Sequence, residues 1–340
     1  MNFSTKCVEL IGQKSKPTGQ ETQHILAPMS FLVTALLLFA LVVLVRLVLV
    51  FAGHCIRRQP SPLHVTICCP GGGVFFWWQI GAMRELLKIY ELPEQVTLSG
   101  ASAGALAVVL SQCGVDPATA HAVAFRLAED AGCFRNPFGL CGRWGALVHD
   151  WLDALLPSDA AARCGRRCRV AVTRCTLLPH TDGIIAFERR DDLINALMAS
   201  THIPFFMDGR PTSRHVYRAA DGEMLSWLGF MSTRALLCPT AADRPAAVVI
   251  SHKQDAEFRA ACWANGWSSL STRGTEQFSG FGAAWVQREV SRGSEGAFAA
   301  LAPYRRKGVT GSTTQPESPA VARGRRSPAR SRRAGAYRGQ

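Results

Sequence analysis

The first pattern of apolar positions in this 340-residue chain is a nearly unbroken run. Phe31–Ala52 spans 22 residues and contains one charge, Arg46. As a helix it would be about 33 Å long, close to the thickness of a bilayer's hydrocarbon core. A secretory signal peptide would start nearer residue 1 and be shorter, and a core helix would not be apolar on every side. We therefore predict an uncleaved transmembrane anchor helix at residues 30–53, preceded by a polar segment at residues 1–29.

Basic residues flank this run on both sides and bear on its orientation. Those on the C-terminal side lie closer to it, and basic residues near a span favour the cytosolic side. This pattern favours a single-pass membrane protein whose folded domain faces the cytosol. The basic residues are Lys6, Lys14 and Lys16 before the run, and Arg46, Arg57 and Arg58 at or after its end.

The second pattern, from about residue 63 onward, alternates short apolar strands with apolar-striped helices. Such alternation is typical of an α/β fold with a mainly parallel sheet flanked by helices. Strands are predicted at His64–Cys69, Gln95–Gly100, Cys168–Cys175 and Ala246–Ser251, and helices at Gln79–Tyr90, Ala103–Cys113 and Asp191–Ser200.

The chain ends in a basic tail, predicted at residues 303–340. Residues 305–340 hold ten Lys or Arg and one acid, so about +9 of the chain's net charge of +13 is concentrated there. The tail has almost nothing to bury, and we expect it to be disordered. It is either a solvated end or a segment attracted to anionic lipid headgroups. Without a folded reader or interleaved aromatic residues, we do not predict nucleic-acid binding.

The 12 cysteines do not indicate a disulfide framework, because small secreted scaffolds carry them far more densely. Cys164 and Cys168 are separated by three residues, but no matching Cys or His pair follows at zinc-site spacing. We therefore predict no metal site.

A Gly-x-Ser-x-Gly motif, Gly100-Ala101-Ser102-Ala103-Gly104, stands between a predicted strand and a predicted helix. In that context the serine can occupy a sharp turn and act as a nucleophile, supported by the helix N-terminus. The same small residues would also allow close packing of the helix on the sheet. The flanking elements favour the catalytic interpretation.

A run of three glycines, Gly71, Gly72 and Gly73, follows the first strand. Ordering consecutive glycines is costly, so the run is expected where backbone N–H groups approach an anion. It lacks the Gly-Lys-Ser/Thr ending of a phosphate loop and the Gly-x-Gly-x-x-Gly spacing of a dinucleotide loop. An oxyanion hole for Ser102 remains, with a plain turn as the alternative. The bulky Val74–Trp78 stretch after it could pack in the core or line a site for an acyl chain.

Two residues are candidates for the base that takes the serine proton. Asp221, in an Asp-Gly after a short strand-like run, could accept the proton directly. His252 lies further along the chain, so Ser102, Asp221 and His252 would also fit the order of a Ser-Asp-His hydrolase.

Together, the glycine run, the Gly100–Gly104 motif and Asp221-Gly222 resemble the patatin-like phospholipases in order and spacing. The segment Ala196–Arg210 is also similar to the one that precedes the family's aspartate. The resemblance implies a catalytic domain at residues 63–235 that uses a Ser102–Asp221 dyad, an oxyanion hole at Gly71–Gly73 and no cofactor. Two features depart from the family: bulky residues at 74–76, where a basic residue and a further glycine are usual, and Glu223 after the Asp-Gly.

The implied activity is that of a membrane-anchored lipid acyl hydrolase, a phospholipase A or a triacylglycerol lipase, with a lipid substrate at the bilayer. The alternatives are a Ser-Asp-His lipase that uses His252 and a catalytically inactive membrane scaffold. Residues 236–302 resemble nothing recognised and are predicted only as a C-terminal extension.

Overall fold

The computed structural model describes residues 65–307 apart from 136–138, 178, 215–217, 239–246, 269–273 and 294–295, together with residues 39 and 41. The predicted N-terminal segment, the rest of the predicted membrane anchor and residues 308–340 of the predicted tail lie outside the described residues. Among the described helices, none is both long and apolar enough to cross a bilayer.

A sheet with strand order β4-β3-β2-β1-β6 runs through the described domain, and a short strand, β5, also pairs with β3. The β2-β3, β1-β2 and β1-β6 pairs are parallel, whereas β4 and β5 run antiparallel to β3. This confirms the predicted α/β class with a mainly parallel sheet. The strands are β1 (Thr66–Cys69), β2 (Thr97–Ala101), β3 (Cys168–Arg174), β4 (His180–Ile184), β5 (Ala219–Ala220) and β6 (Ala247–Val249).

Helices connect the strands and flank the sheet. The α-helices are α1 (Phe76–Ile89), α2 (Ala103–Gln112), α3 (Pro117–Asp130), α4 (Trp144–Leu155), α5 (Ala160–Cys164), α6 (Arg190–Ser200), α7 (Met224–Trp227), α8 (Thr233–Leu237), α9 (Ala256–Asn265) and α10 (Thr275–Ser291). Short 3₁₀ turns lie at Gly73–Phe75, Cys133–Arg135, His252–Gln254 and Ala299–Tyr304.

The bulky stretch after the glycine run belongs mainly to the core. The first helix begins at Phe76, three residues before the predicted start, because Phe76 and Trp78 are buried and continue its apolar face. Phe75 stacks on His252 with 4.1 Å between ring centroids, and Trp77 is partly buried. Packing thus accounts for most of these side chains.

The predicted C-terminal extension contributes to the same core. Its strand β6 pairs with β1, and α10 packs closely on α1. Two glycines make this helix contact possible: a Cβ on Gly81 would clash with the backbone of Ser279, and one on Gly282 would clash with the Trp78 carbonyl. Part of the 236–302 segment therefore completes one edge of the sheet and covers the first helix.

Candidate active site

Ser102 lies at the turn between β2 and α2 with φ 52° and ψ −127°. A side chain rarely adopts this backbone conformation, and such strain is typical of a nucleophile at a strand-to-helix turn. The turn is fixed from the helix side because the Ser102 carbonyl accepts the N–H groups of Ala105 and Leu106 at 3.0 and 3.3 Å. Ser102 is therefore held at the N-terminal end of α2, where the helix dipole favours negative charge.

The two glycines of the motif let the turn pack tightly. A Cβ on Gly100 would lie 2.5 Å from the Gly104 carbonyl oxygen, and one on Gly104 would clash with the carbonyls of Cys69 and Pro70. Helix α2 thus passes directly over the end of β1. The small residues therefore permit the close helix–sheet packing that the sequence offered as the alternative, while the catalytic role of Ser102 stays a prediction.

Ser200 is a site residue that sequence reasoning did not single out. Its Oγ accepts the Ser102 backbone N–H at 2.9 Å and donates to the Ala171 carbonyl at 2.7 Å. It therefore joins the turn to strand β3. The only signal in the sequence was its place in the Ala196–Arg210 segment, which resembles the family but does not reveal this contact.

Asp221 follows β5 and is completely buried. Its backbone N–H donates to the His202 carbonyl at 2.8 Å, and its carbonyl accepts the Thr173 hydroxyl at 2.7 Å. Its carboxylate Oδ1 accepts the Glu223 N–H at 2.9 Å. The two backbone bonds fix the position of Asp221, and the bond from the Glu223 N–H fixes the orientation of its carboxylate.

The structure brings the Ser102 hydroxyl and the Asp221 carboxylate together. Burial raises the pKa of Asp221 to about 7, while hydrogen bonding from Ser102 and from the Glu223 backbone lowers it and the Glu223 charge raises it further. The contact is loose, since Asp221 Oδ2 has no partner at standard hydrogen-bond geometry. Catalytic hydrogen bonds are often long without substrate, and a pKa near 7 suits a general base.

The three glycines of the predicted oxyanion loop have different surroundings. A Cβ on Gly71 would lie 3.2 Å from Ser102 Cβ, so Gly71 is next to the serine. A Cβ on Gly72 would instead face His252 Nδ1 at 3.6 Å. Gly73 has φ +56°, a conformation that favours glycine, with open space around it. Of the three, the structure brings Gly71 closest to the proposed nucleophile.

Glu223 follows the Asp221-Gly222 pair, its side chain lies against Gly71, and it is only 5% exposed. Its Oε1 accepts the Thr233 hydroxyl at 3.0 Å, and its carboxylate accepts a hydrogen bond from the Gly71 backbone. Burial raises the pKa of Glu223, and the bonds from Thr233 and Gly71 and the charge of Lys253 oppose that shift.

His252 lies beside the glycine loop rather than in the contact between Ser102 and Asp221. Its ring stacks on Phe75, and Nδ1 is buried without a hydrogen-bond partner. Burial lowers the pKa of His252 to about 4, assisted by the Lys253 charge. In the described part of the chain, no hydrogen bond links His252 to Ser102 or Asp221.

Comparison with known proteins adds a family match to this geometry. Residues 67–232 match the model of the family described as Patatin-like phospholipase. This part of the chain is similar to a patatin-like phospholipase domain. A search of curated proteins found no match. The resemblance inferred from the motifs is therefore confirmed, and the match supports lipid acyl hydrolase activity and lipid substrates in general.

Within the patatin-like domain, the close approach of strand β3 explains why glycine follows Asp221. A Cβ on Gly222 would clash with the Ala171 carbonyl and come within 3.0 Å of Ser200 Oγ. The Gly222 N–H also donates to the Ser200 carbonyl at 2.9 Å. Gly222 and Ser200 thus tie the aspartate and the serine turn to the same strand. Within the described residues, no cluster of three or more His, Cys, Asp or Glu side chains is suited to hold a metal ion.

Proposed function

We propose that the protein is a membrane-anchored serine acyl hydrolase that cleaves fatty-acyl esters of lipids with Ser102 as nucleophile and Asp221 as base. The observation that carries this proposal is the contact between the Ser102 hydroxyl, on a strained turn, and a buried carboxylate whose pKa is about 7. An exposed aspartate would be a much weaker base, because its pKa lies near 4.

In the first half of the reaction, Asp221 accepts the hydroxyl proton as Ser102 Oγ attacks the ester carbonyl. The tetrahedral intermediate collapses, the ester C–O bond breaks, and the departing alcohol takes the proton from Asp221. An acyl group then remains bonded to Ser102.

In the second half, water gives a proton to Asp221 and attacks the acyl carbonyl. The bond to Ser102 Oγ breaks, the serine recovers the proton, and the fatty acid leaves. The residues proposed for the oxyanion hole are Gly71, Gly72 and Gly73, with Gly71 the nearest to Ser102. The N-terminal end of α2 adds a favourable dipole.

Lipid at a membrane surface is the substrate source that fits the surroundings of the site. Three large apolar side chains follow Glu223 in the chain and are exposed, a feature that marks contact with membranes or other partners. They are Trp227, Leu228 and Phe230, with 53%, 60% and 76% exposure.

Attachment to the bilayer is proposed from the sequence. Residues 30–53 would anchor the protein as a single-pass helix with the domain on the cytosolic side. The basic residues of 303–340 would contact anionic headgroups.

A fluorophosphonate probe tests the proposed nucleophile, because it reacts covalently with activated serines. We expect labelling of the full-length protein, none of Ser102→Ala, and release of fatty acid from at least one of a panel of phospholipids, galactolipids and triacylglycerols. If the folded wild type neither labels nor releases fatty acid, the catalytically inactive scaffold is the better interpretation.

A further inference from the structure

The Glu223 carboxylate lies against Gly71, the glycine of the proposed oxyanion loop that is nearest to Ser102. Its partner, the Gly71 backbone N–H, belongs to the loop next to Ser102, and a Cβ on Gly71 would meet both Glu223 Oε2 and Ser102 Cβ. One side chain of the protein therefore binds the amide that the proposed mechanism assigns to the substrate.

We propose that Glu223 plugs the oxyanion pocket of the resting protein and that its carboxylate must leave Gly71 before Ser102 can react with an ester. The proposal rests on the proposed function, because it concerns the same serine and the same amide. Glu223 thereby limits the reaction from within the site.

Burial around the dyad supports this closed state. Ser102 is 7% exposed, Asp221 is fully buried and Glu223 is 5% exposed, so little of the site is open to solvent while Glu223 is in this position. While the Glu223 carboxylate accepts the Gly71 N–H, an acyl carbonyl next to Ser102 Oγ cannot accept the same N–H. The closed geometry therefore requires Glu223 to move during each reaction.

Charge adds a second obstacle. A carboxylate and an oxyanion compete for the same donor, and the like charges repel each other when they are close. Asp221 lies on the same turn and also carries a negative charge when it acts as the base, whereas Lys253 is the positive group that acts on Glu223. The departure of Glu223 thus relieves repulsion as well as opening space.

Thr233 holds the plug in place from the other side. Its hydroxyl donates to Glu223 Oε1 at 3.0 Å and lies 3.2 Å from the Ser226 hydroxyl. Loss of the Thr233 hydroxyl would free Glu223 without changing its charge. A Thr233 variant therefore tests the position of the Glu223 carboxylate separately from its charge.

The experiment measures the rate of fluorophosphonate labelling of the full-length protein, since the phosphonyl oxygen needs the same pocket. Glu223→Ala is expected to label about tenfold faster than wild type or more, in view of the weight of one oxyanion donor. Glu223→Gln keeps the shape of the side chain and loses its charge, and Thr233→Val loses the hydroxyl that donates to Glu223. Both variants are expected to label at rates between those of wild type and Glu223→Ala. Exposed Glu129→Ala serves as the control and should match wild type.

All Glu223 variants could label no faster than wild type while labelling still requires Ser102. That result would overturn the proposal that Glu223 blocks the oxyanion pocket, and it would leave the proposed hydrolase activity intact. Absence of Ser102-dependent labelling in wild type and in every variant, with the folded state confirmed by circular dichroism, would instead overturn the proposed function itself.

Discussion

The backbone N–H of Ser102 donates to the Oγ of Ser200 at 2.9 Å, although the two residues are 98 positions apart in the chain. The same Oγ donates to the Ala171 carbonyl, so one hydroxyl ties the serine turn to the end of helix α6 and to strand β3. Because all three groups are buried, the contact fixes the turn in a place where water cannot substitute for the hydroxyl.

Ser200→Ala should lower kcat more than it raises KM, because it leaves two buried backbone groups without a partner and lets the turn shift. We expect a loss of about 1–3 kcal/mol in the free energy of unfolding. Steady-state kinetics and urea unfolding measure the two effects. A variant with unchanged kcat and unchanged stability would show that Ser200 does not position Ser102.

The labelling rate should rise with pH and level off above about pH 7, because Asp221 must be ionised to take the serine proton and its pKa is about 7. The pH profile of fluorophosphonate labelling measures this rise, which forms the acid limb of the profile. In Glu223→Gln the limb should move to lower pH, since the Glu223 charge raises the pKa of Asp221. An immobile limb in that variant would contradict the assignment to Asp221.

Asp221→Asn should inactivate the protein and yet stabilise it at about pH 8. The folded pKa of about 7 lies above the ordinary value of 3.8, so the folded state holds the proton more tightly and wild-type stability falls as pH rises between these values. Since one pKa unit corresponds to about 1.4 kcal/mol, the variant gains up to a few kcal/mol above this window.

Thermal unfolding of wild type and Asp221→Asn across this pH range checks that prediction. The Tm advantage of the variant should be large at about pH 8 and shrink toward about pH 4, whereas exposed Asp130→Asn should show little pH-dependent advantage. An advantage that grows toward acid would have the wrong sign and would refute the raised pKa.

Gly104→Ala should destabilise the domain and slow labelling, because its Cβ has no space against the Cys69 and Pro70 carbonyls. We expect a cost of about 1–3 kcal/mol, typical of overpacking. Gly280→Ala in helix α10 is the matched control: its Cβ meets open space, and alanine favours a helix by up to about 1 kcal/mol. The midpoint of urea unfolding should therefore fall for Gly104→Ala and rise for Gly280→Ala.

His252→Ala and His252→Gln should retain most of the labelling rate, because His252 contacts Phe75 and Gly72 rather than the proposed dyad. Loss of its stacking should lower Tm, so labelling is compared at a temperature where both variants are folded. A drop of about a hundredfold or more in folded His252→Gln would favour the Ser-Asp-His mechanism.

The sequence by itself determined the α/β class, the positions of the main predicted strands and helices, and the resemblance of residues 67–232 to the patatin-like phospholipases. These follow from local information: apolar periodicity sets the type of each element, and Gly100–Gly104 and Asp221-Gly222 are short enough to be read directly. Helix α2 begins at Ala103 as predicted, and α6 ends at Ser200 as predicted. The predicted membrane anchor stays a prediction.

Only the tertiary structure decided which distant groups meet. The Ser200 contact with Ser102, the position of Glu223 against Gly71 and the stacking of His252 on Phe75 each join residues separated by many positions. No local pattern encodes such contacts, because they depend on the strand order and on how the helices pack in three dimensions. The pKa of Asp221 belongs with them, since it depends on how completely the fold excludes water from one carboxylate.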